Sequence, residues 1–265
     1  MEPGDLKGRT AIVTGSATGI GAASAIALAR RGADVVINYT RSEAEAKETA
    51  EIVRQAGAGA RVVQGDVAKD EDCRKLAAAA LEAFGRIDIL VNNAGTTKFA
   101  AHADLDALSA EDFARIYAVN VIGPFQMIRA CREALKAHGD GAVVNVSSIA
   151  AVSGIGSSIA YAASKGALNT MTLSLARALA PEIRVNAVCP GYVATPWFGK
   201  RMDADAFERI TAEQAKASPL NRAADGAEIA HTVSFFCGPE SRHITGEMLL
   251  TDGGLHLNIM AGARR

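Results

Sequence analysis

Short apolar segments alternate with helical segments along the chain, and this alternation constrains the fold more than any other feature. Short runs rich in Val, Ile and Leu are typical of buried strands, whereas longer alanine-rich or charged amphipathic runs are typical of helices. The seven predicted strands are 10–14, 34–38, 61–64, 87–91, 142–146, 183–188 and 248–251. Because parallel strands need crossover helices, the pattern predicts an α/β fold, a doubly wound seven-stranded parallel sheet flanked by helices.

The chain is expected to form a single domain over residues 1–265. At 265 residues it has a length at which α/β folds often remain one unit, and no Pro/Ser-rich linker divides it. The segment at about 196–220 departs from the strand–helix alternation and contains Trp197, Phe198, Met202 and Phe207. We interpret this insertion as a lid over a ligand site.

Composition argues against several classes of partner. A net charge of -1 and a pI near 6.5 give no basic field for nucleic acid or an anionic membrane. The four cysteines form no CxxC pair and the five histidines are isolated, so no metal site is expected. The first residues carry no basic start followed by an apolar stretch, and no uninterrupted membrane span follows. These features predict a cytoplasmic protein.

A glycine-rich loop joins the first predicted strand to its helix. Its GxxxGxG spacing places Gly15, Ser16, Thr18, Gly19 and Ile20 where backbone N–H groups at a helix N-terminus can face a pyrophosphate. Glycine permits that close approach, although the same residues could merely allow tight packing of strand against helix. The position after the first strand favours dinucleotide binding.

The end of the second strand bears on which dinucleotide binds. An NAD-binding unit usually offers an acid to the ribose hydroxyls there, and this chain has none in Asn38, Tyr39, Thr40 and Arg41. Arg41, with the neighbouring hydroxyl of Thr40, suits a 2′-phosphate instead. The alternative is an ordinary solvated arginine at the start of a helix. We therefore predict NADP, in practice NADPH, with NAD as the second choice.

Tyr161 and Lys165 are four residues apart in an alanine-rich helical stretch, so they share one face of that helix. A phenol beside an ammonium can move a proton, because a nearby cation stabilises phenolate and lowers the pKa of the tyrosine. For an isolated YxxxK, a partly buried tyrosine beside a surface lysine is the simpler interpretation.

The ordered set of motifs resembles the short-chain dehydrogenase/reductase family over essentially the whole chain. The matching motifs are TGxxxGIG from Thr14, Gly65-Asp66-Val67, Asn92-Asn93-Ala94-Gly95, Asn120, Ser148, YxxxK, Pro190-Gly191 and Thr251-Asp252-Gly253-Gly254. The resemblance implies a Rossmann-type, dinucleotide-binding catalytic domain that interconverts a carbonyl and a secondary alcohol with NAD(P)(H). It also implies a homotetramer built through the helices near 111–136 and 158–180.

The same resemblance assigns roles to individual residues. Tyr161 would exchange the proton, Ser148 would bond the substrate oxygen, Lys165 would hold the nicotinamide ribose, and Asn120 would break its helix and position a water. The further cofactor contacts that it implies are Asp66, Val67, Asn93, Ala94, Gly95, Pro190, Gly191, Val193 and Thr195. Taken alone, Asp66 could equally be a turn residue and Asn93 a bridge between strands.

The substrate stays open, because the specificity residues of this family lie in variable loops. The candidates are Thr96, Thr97, Ala150, Ser153, Gly154, Tyr192, Trp197 and Phe198. The sequence is similar to the 3-oxoacyl-carrier-protein reductase and glucose dehydrogenase branches, so NADPH-dependent reduction of a ketone or 3-oxoacyl group is expected. A sugar or polyol dehydrogenase and a non-catalytic NADP sensor are the alternatives. Asp140 and Glu182 stand where a carrier-protein reductase is expected to be basic, which disfavours a carrier-protein substrate. Arg129, Arg132, Lys200 and Arg201 could compensate, although basic residues on helices are usually solvated.

Overall fold

The computed structural model describes residues 4–199 and 202–258, and its centre is a seven-stranded sheet. Lys200, Arg201 and the side chain of Phe198 lie outside this description. The strands are β1 Thr10–Val13, β2 Asp34–Tyr39, β3 Ala60–Gln64, β4 Ile89–Asn92, β5 Gly141–Val146, β6 Ile183–Pro190 and β7 Met248–Thr251. They lie in the order β3-β2-β1-β4-β5-β6-β7 and every neighbouring pair is parallel. The predicted fold class is confirmed.

Helices cover both faces of this sheet. They are α1 Gly19–Arg30, α2 Glu43–Gln55, α3 Asp70–Phe84, α4 Ala110–Tyr117, α5 Gly123–Lys136, α6 Ala150–Ser153, α7 Ile159–Leu179, α8 Pro196–Gly199, α9 Ala204–Ala217 and α10 Gly226–Cys237. Helix α1 packs against both α2 and α10, and α3 packs against α5. No helix in the described ranges has the length and apolarity that crossing a bilayer would require.

Successive strand residues alternate between two hydrophobic cores, because side chains along a strand point to opposite faces. On β1, Ala11 and Val13 belong to one core, whereas Ile12 belongs to the other with Val36 and Leu90. All five are fully buried. Burial on both faces explains why the strands read as continuous apolar runs rather than as alternating ones.

The predicted helical stretch 111–136 is not one regular helix. Helix α4 ends at Tyr117, a π-helical turn spans Ala118–Ile122, and α5 begins at Gly123. Single π turns inside helices are frequent at functional sites, because the extra residue re-aims one side chain. Asn120 is the side chain placed at the centre of this turn.

The strand order fixes where a ligand can lie. β1 is paired with both β2 and β4, so the chain runs outward from β1 in two directions and the loops after β1 and β4 diverge. In such sheets a crevice opens beyond the carboxyl ends of the strands at this point. The predicted lid supplies α8 and α9 near that edge, and the Tyr192 hydroxyl joins α9 by a 2.8 Å hydrogen bond to Thr211 Oγ1.

Candidate active site

Gly15 in the loop after β1 and Gly21 in the first turn of α1 are required by close packing against the loop after β4. Gly15 has φ +60°, and a Cβ there would lie 2.9 Å from the Cα of Ala94. A Cβ on Gly21 would lie 2.4 Å from Asn93 Nδ2. The Asn93 amide donates to the carbonyls of Thr14 and Gly15, both at 2.9 Å. The packing role considered for these glycines is therefore real, and it brings Asn93 and Ala94 to the glycine loop.

The backbone N–H groups at the N-terminus of α1 have no side-chain cap among the residues described. Thr18 precedes it in an extended conformation without a side-chain capping bond, and no acid stands in the first turn. By contrast, α4 begins with a capping box made by Ser109 and Asp112. Open N–H groups at a helix N-terminus favour an anion. The loop after β6 meets this point, since a Cβ on Gly19 would lie 3.5 Å from Thr195 Cβ.

The side chains of Asn38 and Ser16 hold the glycine loop in place by hydrogen bonds. Gly15 N donates to Asn38 Oδ1 at 2.9 Å, and Asn38 Nδ2 donates to Gly65 O at 2.9 Å. Ser16 Oγ donates to Val13 O at 2.7 Å and accepts from Asn38 N. Both residues are buried. Their polar side-chain atoms are thus engaged within the protein, and a direct contact to a cofactor stays a prediction.

Arg41 lies exposed beyond the end of β2. Among the residues that the structure describes, it forms no ion pair and no hydrogen bond. The neighbouring Thr40 is also exposed, and its carbonyl accepts from Gln64 Nε2 at 3.1 Å. Tyr39 is half-buried at the strand end. An unpaired guanidinium at this edge of the sheet is available to an anionic ligand.

The remaining predicted cofactor residues lie on loops along the same edge. Asp66 Oδ1 accepts from Ala68 N at 3.0 Å, which is the turn role considered for it, and Val67 is buried. Gly191 is needed because a Cβ there would lie 2.8 Å from that of Asp252. Val193 forms a parallel bridge with Ala224, Thr195 Oγ1 donates to Val193 O at 3.5 Å, and Pro190 O accepts from Ile149 N at 2.9 Å.

Ser148 and Tyr161, which the family resemblance pairs, lie close together in the structure. Ser148 follows β5, and Tyr161 lies in the first turn of α7, whose N-cap Ser158 accepts from Tyr161 N at 3.2 Å. A hydrogen bond with Ser148 favours the ionised form of the phenol. Lys165 Nζ lies 5.7 Å from the centroid of the Tyr161 ring. Serine, tyrosine and lysine therefore form one cluster.

Lys165 is a buried cation without a buried anion. Only 4% of the residue is exposed, and its Nζ donates to the carbonyl of Val146 at 2.8 Å. Burial disfavours the charged form and lowers the pKa of Lys165 to about 8. The ammonium is thus held at the floor of the site at a cost in stability.

One expectation about this cluster, the direction of the Tyr161 pKa shift, is wrong for the protein without bound cofactor. Lys165 was expected to lower the pKa of Tyr161, but burial raises that pKa to about 12 and the bond from Ser148 only partly opposes it. The ammonium lies against the ring, and the phenolate that ionisation would create is desolvated. Tyr161 is therefore a protonated phenol at neutral pH.

Asn120 links three parts of the site. From the π turn, its Oδ1 accepts from Thr96 N at 2.8 Å and its Nδ2 donates to Thr96 O at 3.0 Å. The same Nδ2 donates to Ser164 Oγ at 3.0 Å, and Ser164 Oγ donates to Tyr161 O at 2.7 Å. Asn120 is fully buried. It therefore ties the loop after β4 to the helix that carries Tyr161.

Sequence reasoning missed two members of this network, Ser164 and the carbonyl of Val146. Ser164 was visible as a small polar residue three positions after Tyr161, on the buried side of an alanine-rich helix. The Val146 carbonyl had no signal in the sequence, because which carbonyl lies beneath Lys165 depends on how α7 packs on the sheet.

The ring of Tyr161 lies near α8 and near the loop after β5. Trp197 on α8 has its ring centroid 6.4 Å from that of Tyr161, with the planes inclined at 48°. A Cβ on Gly156 would lie 3.4 Å from Tyr161 Cδ1. No group of three or more potential metal-ligating side chains occurs within residues 4–199 and 202–258.

Comparison with known proteins places the chain among named oxidoreductases. A family model described as enoyl-(acyl carrier protein) reductase matches residues 15–256. A protein named for ketoacyl reduction in granaticin polyketide synthesis of Streptomyces violaceoruber is 41% identical, over 93% of this chain and 96% of its own. Glucose 1-dehydrogenase 2 of Bacillus subtilis is 36% identical, over 96% of each chain. L-rhamnose 1-dehydrogenase (NAD(P)(+)) of a Sphingomonas species is 35% identical, over 96% and 98%.

A solved structure agrees with this placement. The crystal structure of a short-chain dehydrogenase/reductase from Burkholderia xenovorans superposes with a TM-score of 0.86 and 40% identity, covering 94% of this chain and 98% of its own. The Ser–Tyr–Lys cluster lies at the crevice of the same fold. The chain belongs to the short-chain dehydrogenase/reductase family and is an oxidoreductase of that family.

Proposed function

We propose that this protein uses NADPH to reduce a ketone or 3-oxoacyl group to a secondary alcohol, and that one domain over residues 1–265 carries the whole reaction. The observation that carries the proposal is the cluster in which the Lys165 ammonium lies 5.7 Å from the Tyr161 ring and the Ser148 hydroxyl is near enough to oppose the rise in the pKa of the phenol. Two hydroxyls converging beside a buried cation suit a carbonyl oxygen that gains negative charge during the reaction.

Tyr161 acts as the general acid of the reduction. With its pKa raised to about 12, the phenol keeps its proton at neutral pH and can donate it to the substrate oxygen. Ser148 holds that oxygen by a second hydrogen bond. The bound nicotinamide supplies the hydride, so the protein's task is to orient the carbonyl and to deliver the proton. In the oxidation direction, Tyr161 accepts the proton of the alcohol as the phenolate, and Ser148 holds the oxygen.

Lys165 and Asn120 support Tyr161 in different ways. Positive charge at Lys165 stabilises the phenolate that remains after proton transfer, and its amine can hold a ribose hydroxyl. Asn120 acts through its bonds to Thr96 and Ser164, which fix the loop after β4 relative to α7. A water bound near Asn120 would complete a proton path to solvent.

The crevice fits a dinucleotide. Gly15 and Gly19 have φ near +60° in a loop with no room for side chains at Gly15, and the α1 N-terminus is uncapped. These features suit a pyrophosphate that must approach the backbone. The unpaired Arg41 supports NADP over NAD, because a 2′-phosphate would satisfy an otherwise solvated guanidinium. Thr195, beside Gly19, would meet the phosphate or the carboxamide.

A sugar or polyol dehydrogenase is the second candidate, and the relatives named glucose 1-dehydrogenase 2 and L-rhamnose 1-dehydrogenase favour it. A thioester on an acidic carrier protein has less support. Arg129 is paired with Asp70 at 2.6 Å and Arg132 with Glu133 at 2.7 Å, so neither is a spare cation. A non-catalytic NADP sensor is disfavoured by the intact cluster.

We also infer a homotetramer in the cytoplasm. Exposed apolar side chains on the helices expected to build it support this assembly: Ile122 and Phe125, from the π turn and α5, are 49% and 44% exposed, and Leu173 on α7 is 43% exposed. Light scattering coupled to size-exclusion chromatography tests the assembly. A monomer at micromolar concentration would contradict it.

The decisive experiment follows NADPH absorbance with a panel of simple ketones, β-keto thioesters and, in the reverse direction with NADP⁺, sugars. We expect oxidation of NADPH with at least one carbonyl compound and its abolition in Tyr161→Phe. Tight NADPH binding without turnover on any member of the panel would favour the sensor.

A further inference from the structure

Two loops form the rim of the cleft above Tyr161. They follow β4 and β5 and are joined by a 2.9 Å bond from Ala100 N to Ser157 O and a 2.7 Å bond between the hydroxyls of Thr97 and Ser157. His102 Nε2 adds a 3.2 Å contact to Gly156 O. Because Thr96 is bound to Asn120 and Gly156 lies against the Tyr161 ring, this joined rim borders the reacting groups directly.

The rim exposes large apolar side chains. Phe99 is 46% exposed, Val152 57% and Ile155 48%. A single exposed hydrophobic residue is ordinary, but three on two joined loops beside a reactive cluster mark a binding surface. Trp197 adds an aromatic ring beside the reacting groups, with its centroid 6.4 Å from that of Tyr161.

Several polar side chains near the rim are bonded to the protein itself. Besides Thr97, the Ser153 hydroxyl donates to Ile149 O at 2.8 Å and the Tyr192 hydroxyl bonds Thr211 Oγ1 at 2.8 Å. Lys98, the cation of the rim, is paired with Asp112 at 2.6 Å. A polyhydroxylated substrate would need several partners for its hydroxyls, because each buried unpaired one is costly. This rim offers few.

We propose that the substrate is a bulky apolar ketone, such as one fused to an aromatic ring, whose ring system lies along Trp197 and reaches Phe99, Val152 and Ile155. This inference rests on the proposed carbonyl reduction and selects among its substrates. It commits to an apolar small molecule and places the sugars of the named relatives outside the preferred class.

Matched ketones test the size and polarity of the preferred substrate. We expect kcat/KM with NADPH to be about 10- to 100-fold higher for the bicyclic aryl ketone α-tetralone than for cyclohexanone, since extra apolar groups bound in a pocket give discrimination of this order. Glucose and rhamnose with NADP⁺ should give far lower values than the alcohol of tetralone. A tetralone-to-cyclohexanone ratio near one, or a sugar as the best substrate, would overturn the inference and leave the reductase assignment standing.

Substitutions on the rim test the surface itself. The triple variant Phe99→Ser, Val152→Ser, Ile155→Ser should lower the tetralone-to-cyclohexanone ratio by about tenfold. The matched control is Ile52→Ser on α2, which removes an apolar side chain of similar exposure, 42%, away from the rim. Equal losses on both ketones, with a change of mass in light scattering, would mean that the patch is a contact between copies of the chain and would sink the proposal.

Fluorescence gives a readout that is independent of turnover. Trp197 is the one tryptophan of the chain, so its emission reports on this site alone. With NADP⁺ bound, which cannot reduce a ketone, tetralone should change the emission in a saturable way and glucose should not. Absence of a saturable change with tetralone would count against contact with Trp197. Failure of every carbonyl compound to oxidise NADPH would instead remove the proposed function.

Discussion

Arg41 beyond β2 and Lys165 between β5 and α7 carry the same charge in opposite surroundings. Arg41 is exposed and unpaired within the described residues, so water satisfies its guanidinium until an anion arrives. Lys165 is 4% exposed, with the Val146 carbonyl at 2.8 Å in place of water. The pKa of Lys165 is consequently lowered to about 8.

The difference separates recognition from chemistry within one crevice. An exposed cation costs little to keep and can discriminate between ligands, but water and salt weaken its attraction. A buried cation lowers the stability of the fold, yet it interacts strongly with any charge that develops beside it. Chemistry is accordingly expected at the buried end and cofactor choice at the exposed end. Four measurements test this division between the buried and the exposed end.

The largest effect is expected at the buried end, from Tyr161→Phe. Removing the general acid should lower kcat by about 10²–10⁴-fold, because that is the usual contribution of a positioned proton donor. The affinity for NADPH, measured by fluorescence titration, should stay within about twofold, since the ring and its packing remain. Turnover within a few-fold of the unaltered protein would remove Tyr161 from the reaction.

Lys165→Met tests the cost of the buried charge. The folded-state pKa of Lys165, about 8, lies below its ordinary 10.5, so the unfolded chain binds more protons between these values and stability rises with pH there. The penalty is complete below pH 8 and absent above pH 10.5. The full penalty is about 3 kcal/mol of unfolding free energy. Because Lys165→Met also loses the hydrogen bond to Val146 O, the stability gained is smaller than this penalty.

The Lys165→Met variant should therefore be about 1–3 kcal/mol more stable at pH 7 by denaturant unfolding without cofactor, with the gain fading towards pH 10.5. Activity should fall sharply in the same variant, as expected where function maintains a destabilising group. A gain of stability that does not change with pH would show that packing, and not charge, is responsible.

At the exposed end, Arg41→Ala should raise KM for NADPH by about 10- to 100-fold, which is what loss of a charge-assisted bond to phosphate costs. KM for NADH and the free energy of unfolding should hardly change. Arg30→Ala, at the exposed far end of α1, is the control. Equal effects on the two cofactors would refute the NADP assignment.

Salt should give the smallest effect and should again distinguish the two ends. Raising ionic strength from about 0.05 to 0.5 M is expected to raise KM for NADPH about two- to threefold, because an exposed ion pair is screened. The kcat should be nearly constant, since Lys165 is out of reach of the ions. Salt-sensitive kcat with constant KM would reverse the proposed division.

Local sequence patterns predicted much of the candidate site. The spacing of Tyr161 and Lys165 on one helix, and of Ser148 thirteen residues before Tyr161, needed only the sequence and a family resemblance. The positions of the strands along the chain were predicted equally well, since burial on both faces makes each strand a continuous apolar run. Strand ends were less certain: the fourth predicted strand began at 87, whereas β4 begins at Ile89.

The arrangement of polar groups was not readable in the same way. Asn38 reads as a residue facing a ligand, but in the fold its amide bridges Gly15 and Gly65, which are distant in sequence. The direction of the Tyr161 pKa shift likewise depended on burial, which outweighs the neighbouring cation in the protein alone. Neither result follows from spacing.

Local sequence patterns were enough to predict the order of strands and helices, the glycine loop, the absence of an acid after β2 and the spacing of Ser148, Tyr161 and Lys165. These are local properties, set by side-chain periodicity, backbone freedom and chemical type. Tertiary packing was needed to place Lys165 on the Val146 carbonyl, to join the loop after β4 to α7 through Asn120, and to leave Phe99, Val152 and Ile155 exposed on two joined loops. Such features depend on which distant segments meet, and that is fixed by packing across the sheet.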